Sequence, residues 1–178
     1  MKAFTLIILL SVCVSCNSKQ QNYIKTLQEW YGEEIVFSNN LKAKVFNRDT
    51  ICDEMFNKKY KVVLHVDSTG CSQCKLQLSH WKIMMEEFEI HNDSLAFFYI
   101  VHTKNIRQMA IICKQNKFNH PLFYDINGEM EKLNHFNKNE EFRCFLLDSN
   151  NQVIILGNPI NNPAIRKLYN KHFISMKE

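Results

Sequence analysis

The stretch from Lys61 to Phe88 constrains the fold of this chain more than any other. Val62-Val63-Leu64-His65-Val66 is an apolar run of strand length, and Asp67-Ser68-Thr69-Gly70 is rich in turn formers. Cys71-Ser72-Gln73-Cys74 follows and opens a segment with Leu76, Leu78, Trp81, Met84, Met85 and Phe88 at helical spacing. The pattern predicts a strand over Lys61–Val66 that turns into a long helix from Cys71 to about Ile90. At that helix N-terminus, unpaired N–H groups and the positive dipole end favour a thiolate on Cys71. Cys74, about one turn deeper, is in reach of a mixed disulfide on Cys71. Reversible thiol–disulfide exchange is the chemistry this spacing suits first.

The remaining elements follow from periodicity and punctuation. Tyr23–Tyr31 reads as an amphipathic helix with Ile24, Leu27 and Trp30 on one stripe. Glu34–Phe37 and Ala43–Phe46 read as short strands. Leu95–Val101 is continuously apolar, as a strand buried on both faces should be. Asn105 can cap a helix running to about Lys117. Pro121 precedes a short strand, Leu122–Asp125; Asn127-Gly128 marks a turn, and Glu129–Phe136 reads as a short helix. Arg143–Asp148 and Gln152–Leu156 form a hairpin across Ser149-Asn150-Asn151. Pro163 starts a closing helix carrying Ile165, Leu168, Tyr169 and Phe173. Strands alternating with helices predict an α/β fold with a central mixed sheet and helices on both faces. The right-handed crossover rule makes Lys61–Val66 and Leu95–Val101 parallel and near each other. The N-terminal strands are expected to extend one sheet edge.

The first residues have a different character. Met1-Lys2 is a positive start, Leu6–Leu10 an apolar core too short to span a bilayer, and Val14-Ser15-Cys16 a small residue before cysteine. This end resembles a bacterial lipoprotein signal peptide, with Cys13 standing where a larger aliphatic residue is usual. The resemblance implies removal of residues 1–15, lipidation of Cys16 and a membrane anchor facing the periplasm, with 16–22 as a polar tether. About 160 residues would remain, enough for one domain with a good core. The whole chain carries a net charge of +4. Lysines and acids are interspersed without a basic cluster, which gives nucleic-acid binding no support.

Cys113 lies on an apolar helical face and Cys144 between Phe142 and Phe145, so both read as buried free thiols. Cys52, ahead of the first long strand, leaves a structural bridge open. Nothing in the spacing suggests a disulfide-dense scaffold.

With C-x-x-C on such a scaffold, the chain resembles the thioredoxin superfamily, and most of all its membrane-tethered extracytoplasmic branch of TlpA and ResA type. The likeness spans roughly Tyr60 to Phe173. Leu122-Phe123-Tyr124-Asp125 with its helix resembles the strand–helix insertion of that branch, and Phe145–Asp148 with Asn150–Ile154 its terminal hairpin. The implied organisation is an N-terminal extension, 23–58, packing on a thioredoxin-like domain, 59–178. Three departures stand out. Gly70 replaces the usual tryptophan, Gln73 the proline before the second cysteine, and no proline lies between Pro121 and Pro159. The cis-proline that normally faces the dithiol should fall near Phe142, so that loop is expected to be trans or rearranged.

The resemblance implies an enzyme exchanging disulfides with envelope proteins, with Cys71 as nucleophile, Cys74 as resolving thiol and the two as a redox-active disulfide. It needs no cofactor or metal, but it needs a partner protein to reduce or oxidise it. Lys75 is a minor candidate for lowering the Cys71 pKa. Thr69 and Gly70 shape the approach, Asp67 is the nearest acid in sequence, and Phe142 marks the facing loop. Three other readings of the dithiol stay open: a thiol peroxidase of the same superfamily, a soft-metal site completed by His65, His80, His102 or His135, and a structural disulfide in an interaction domain.

Overall fold

Lys61–Val66 and Leu95–Val101 do lie side by side and parallel, and the rest of the molecule is arranged around that pair. The computed structural model describes residues 21–67, 76–89 and 93–174. In chain order the elements are α1 (residues 21–30), β1 (Lys42–Val45), β2 (Arg48–Asp49) and α2 (Asp53–Phe56). Then come β3 (Tyr60–Asp67), α3 (Leu78–Glu89), β4 (Leu95–His102), α4 (Ile106–Gln115) and β5 (Leu122–Tyr124). The chain closes with α5 (Glu129–Asn134), a 3-10 turn (Glu140–Phe142), β6 (Cys144–Leu147), β7 (Val153–Leu156) and α6 (Pro163–Ile174).

The strands form one mixed sheet in the order β2-β1-β5-β4-β3-β6-β7. β3 pairs with β4 in parallel from Tyr60↔Leu95 to Asp67↔His102, and β4 pairs with β5 in parallel. β6 runs antiparallel to β3, β7 to β6, and β1 to both β5 and β2. Of the two expected N-terminal strands, the second, as β1, extends the sheet edge beyond β5, and β2 continues it. Central position explains why β3 and β4 are apolar almost throughout: both faces are covered.

Alternate residues of the two strands feed two cores. Val62, Leu64, Val66, Phe97 and Tyr99 pack with α3, α4 and α6, around Trp81, Met109 and Tyr169. Val63, Phe98 and Ile100 pack on the other face with Met130 of α5 and with α1 and α2. Lys61 sits on that second face and is only 1 % exposed. Its ammonium reaches the carbonyls of Ser149 and Asp148 at 3.2 and 3.4 Å, and burial pushes its pKa down.

Four expectations are corrected. Glu34–Phe37 is not a strand: it makes a single bridge, Glu34↔Gln152, and the Asn134 side chain then takes both the N–H and the carbonyl of Val36. A side chain thus satisfies the backbone that a ladder would have used. On α1, the inward stripe is Tyr23, Leu27 and Trp30, and Ile24 points outward at 46 % exposure. Helix α5 stops at Asn134, because His135 turns left-handed at φ 50°.

The fourth correction concerns the helix after the cysteines. It is not continuous from Cys71 to Ile90, because Gln77 breaks it at φ 45° and α3 starts at Leu78. A neighbouring strand takes up the bond that the break leaves open. The buried Tyr99 hydroxyl donates to the Leu76 carbonyl, which an unbroken helix would offer to the His80 N–H. That N–H and the Trp81 N–H bond the Gln77 carbonyl instead, at 3.0 and 3.1 Å.

Other details match the reading. Asn105 caps α4 by accepting from the Gln108 N–H at 3.1 Å. The Asp148 carboxylate closes the hairpin turn, accepting from Asn150 and Gln152 N–H groups. No peptide bond among the described residues is cis, in keeping with the missing proline.

Candidate functional site

Parallel strands deliver their carboxyl ends to one side of the sheet, and the loops leaving those ends are where sites gather in such folds. Here β3 ends at Asp67 and β4 at His102, paired in register. The motif leaves β3 from that end. Thr69, Gly70, Cys71, Cys74 and Lys75 lie outside the described residues, as does Cys16. What the structure gives is the frame on either side of the cysteines.

Asp67 holds one end of the frame. It is half-buried, and its carboxylate lies 3.8 Å from His102 Nδ1. Leu76 holds the other end; it is fully buried, with its carbonyl tied to Tyr99. Gln77 next to it donates to Asn161 Oδ1 at 2.8 Å, joining α3 to the loop before α6. α3 begins only at Leu78, so thiolate stabilisation of Cys71 by a helix terminus depends on residues outside those described.

A polar cleft of about 410 Å³ opens beside β3 where β6 has ended. Its walls are the strand from Leu64 to Asp67, the loop Asn139–Glu141, and Asn158 with Asn161. Phe142 follows that loop, but its ring is buried and packs 5.1 Å from Tyr23. The facing loop therefore offers Asn139, Glu140 and Glu141 to the cleft, and Phe142 serves as its anchor.

Behind the cleft lies a buried cluster that sequence reasoning did not assemble. His65 is 2 % exposed, and its Nδ1 faces Arg143 Nη1 at 3.5 Å. A guanidinium only donates, so Nδ1 accepts and the proton of the neutral ring is assigned to Nε2. Burial, and then the Arg143 charge, push the His65 pKa down to about 4. Arg143 also donates from Nε to the Asn137 carbonyl at 2.8 Å and pairs with Glu131 at 3.2 Å. Asp125, 3 % exposed, caps α5 by accepting from the N–H groups of Glu129 and Met130 at 2.8 and 2.9 Å. The only hint in the sequence was a histidine interrupting an apolar strand and an arginine opening another.

Gly128 sits against His102: its φ of 63° favours glycine, and a β-carbon there would lie 3.1 Å from the His102 ring, which would have to give by a few tenths of an ångström. His80 lies away from this cluster, on the wall of an apolar groove with Ile83 and Ile160. Cys113 and Cys144 are buried free thiols, as expected, with pKa values pushed up by burial to about 11 and about 12. Cys52 is also free. Among the described residues, no three His, Cys, Asp or Glu side chains gather as a metal-ligand set.

No family model and no curated protein matches this sequence. Solved structures do match in shape. The thioredoxin domain of a thiol-disulfide oxidoreductase from Bacteroides vulgatus is 13% identical at a TM-score of 0.51, covering 78% of this chain and 96% of its own. A thioredoxin-like protein solved in its oxidised form is 12% identical, TM-score 0.55, over 83% and 97%. A peroxidoxin, BcpB, from Mycobacterium tuberculosis is 14% identical, TM-score 0.54, over 78% and 96%. Likeness at such identities speaks to architecture and leaves chemistry to the residues. This chain has the thioredoxin fold.

Proposed function

We propose that the protein is a thiol–disulfide oxidoreductase of the cell envelope, held to the membrane through a lipid on Cys16. One observation supports the reading: on a thioredoxin fold, the central strand β3 ends at Asp67 beside a polar cleft, and the sequence carries a C-x-x-C starting four residues further on. In the reduced protein the Cys71 thiolate attacks a partner disulfide, forming a mixed disulfide and releasing one partner thiolate. Cys74, losing its proton, displaces the second partner thiolate and closes the Cys71–Cys74 disulfide, so two electrons pass to the partner. Asp67 is the acid nearest that proton transfer along the chain. Thr69, Gly70 and Lys75 shape the motif, and Phe142 fixes the facing loop. A second envelope protein restores the dithiol. Residues 1–15 act as signal peptide, 16–22 as tether and 23–58 as an extension of the domain that starts at 59.

The test is trapping in cell envelopes. Cys74→Ser should accumulate a partner on Cys71 as a mixed disulfide, and Cys71→Ser/Cys74→Ser should not. A folded, exported Cys74→Ser chain that captures nothing rejects the proposal. Rapid peroxide consumption by Cys71 without any captured protein would point to the peroxidase reading instead.

A further inference from the structure

Helix α1 leaves an apolar stripe unused. Tyr23, Leu27 and Trp30 pack on the core, whereas Ile24, on the adjacent flank of the helix, is 46 % exposed and Tyr31, just past the helix end, is 71 % exposed. Leu168 of α6, 48 % exposed, stands across a shallow groove from Leu27 and Tyr31. The groove, about 170 Å³, is backed by β7 and Ile165 and has almost no polar wall. Leu27 with Tyr31, the edge strand β7 and α6 thus line one apolar groove at the rim of the sheet, and Ile24 stands one helical turn before Leu27 on α1.

We infer that this face rests on the bilayer surface, taking the acyl and headgroup boundary of the membrane that anchors the chain. The inference deepens the anchoring in the proposed function and rests on it. Cys16 precedes the first residue of α1 by five positions, so a lipid there keeps that end of the helix within roughly 18 Å of the headgroups. A stripe that starts at Ile24, on the helix next to the tether, is the apolar surface nearest the membrane along the chain. Its chemistry suits an interface, with aliphatic side chains on one patch and a tyrosine that can keep its hydroxyl among the headgroups. The patch is too small to hold a free protein on a membrane. A tether supplies the missing affinity by raising the local concentration of bilayer around the patch. Contact there would turn α1, β7 and α6 to the membrane and fix which way the carboxyl end of β3 faces.

The test uses the full chain purified from membranes into lipid nanodiscs containing a spin-labelled phospholipid, with the mass of its N-terminal peptide measured in parallel. The methyl signals of Ile24 and Leu168 should broaden strongly, while those of Ile51 and Ile111, also exposed but elsewhere, stay sharp. In Ile24→Gln/Tyr31→Gln the broadening at Leu168 should fall at least about threefold, with the anchor intact. A lipidated chain with equal broadening at all four positions overturns the inference and leaves the anchoring reading standing. An N-terminal peptide without lipid overturns both. Concentration-dependent self-association of the Cys16→Ser chain that the double variant abolishes also overturns it, by giving the face to a second copy.

Discussion

His65 Nδ1 faces Arg143 Nη1 across 3.5 Å of buried space, 78 residues apart in the chain, and the Arg143 carbonyl accepts from the His65 N–H at 2.9 Å. Side chain and backbone of one pair thus pin the end of β3 to the start of β6, at the back of the polar cleft. Burial, and then the cation, keep the imidazole neutral, and the imidazole gives the guanidinium one more acceptor beside Glu131 and the Asn137 carbonyl. The loop that carries Asn139, Glu140 and Glu141 inherits its position from this pair.

Stability should therefore depend on acid through His65. The folded pKa is about 4, below the ordinary value of 6.5, so the unfolded chain binds the proton first as pH falls. Stability is full above about pH 6.5, declines through the window down to about pH 4, and changes no further from this group below that. Between pH 7 and pH 5 the loss from His65 should be about 2 kcal/mol. Urea unfolding of the parent and of His65→Gln at both pH values checks it, and an equal pH dependence in the two proteins would refute the assignment.

Tyr99→Phe should cost about 1–3 kcal/mol, since the buried Leu76 carbonyl loses its donor. The freed carbonyl can then accept the His80 N–H and let the helix run through Gln77. Hydrogen exchange at the His80 amide, compared before and after the substitution, reports whether Tyr99 maintains the break. Unchanged stability and unchanged exchange would show that it does not.

His135 ends α5 in the left-handed region while its side chain is exposed. A residue with a β-carbon is strained there by about 1–2 kcal/mol, a cost glycine does not bear. His135→Gly should stabilise the fold by about 1 kcal/mol after its greater unfolded-state entropy is counted. His135→Ala should give no such gain. Thermal unfolding of the two variants separates a conformational effect from loss of the imidazole.

Cys113 and Cys144 should resist alkylation in the folded protein. With pKa values pushed up to about 11 and about 12, their thiolate fractions at pH 8 fall far below those of free cysteine. Modification by iodoacetamide should run at least about a hundredfold slower than in urea. Peptide mass mapping over time checks each thiol separately, and rapid labelling of either would contradict its burial.

Local patterns in the sequence were enough for most of the elements. The two central strands, the Asn105 cap, the Asp148 turn and the closing helix were legible because short-range periodicity and hydrogen-bonding preference act over a few residues. The end of β3 at Asp67, four residues before the C-x-x-C begins, was legible to within one residue for the same reason. Which face of α1 turns inward, where α3 begins and what surrounds His65 were decided by partners far along the chain. Tyr99 reaches Leu76 from a neighbouring strand, Asn134 satisfies Val36 across 98 residues, and Arg143 meets His65 only once β6 has docked on β3. Burial makes the Tyr99 and Arg143 bonds worth keeping, and burial belongs to the assembled sheet, which no local window contains.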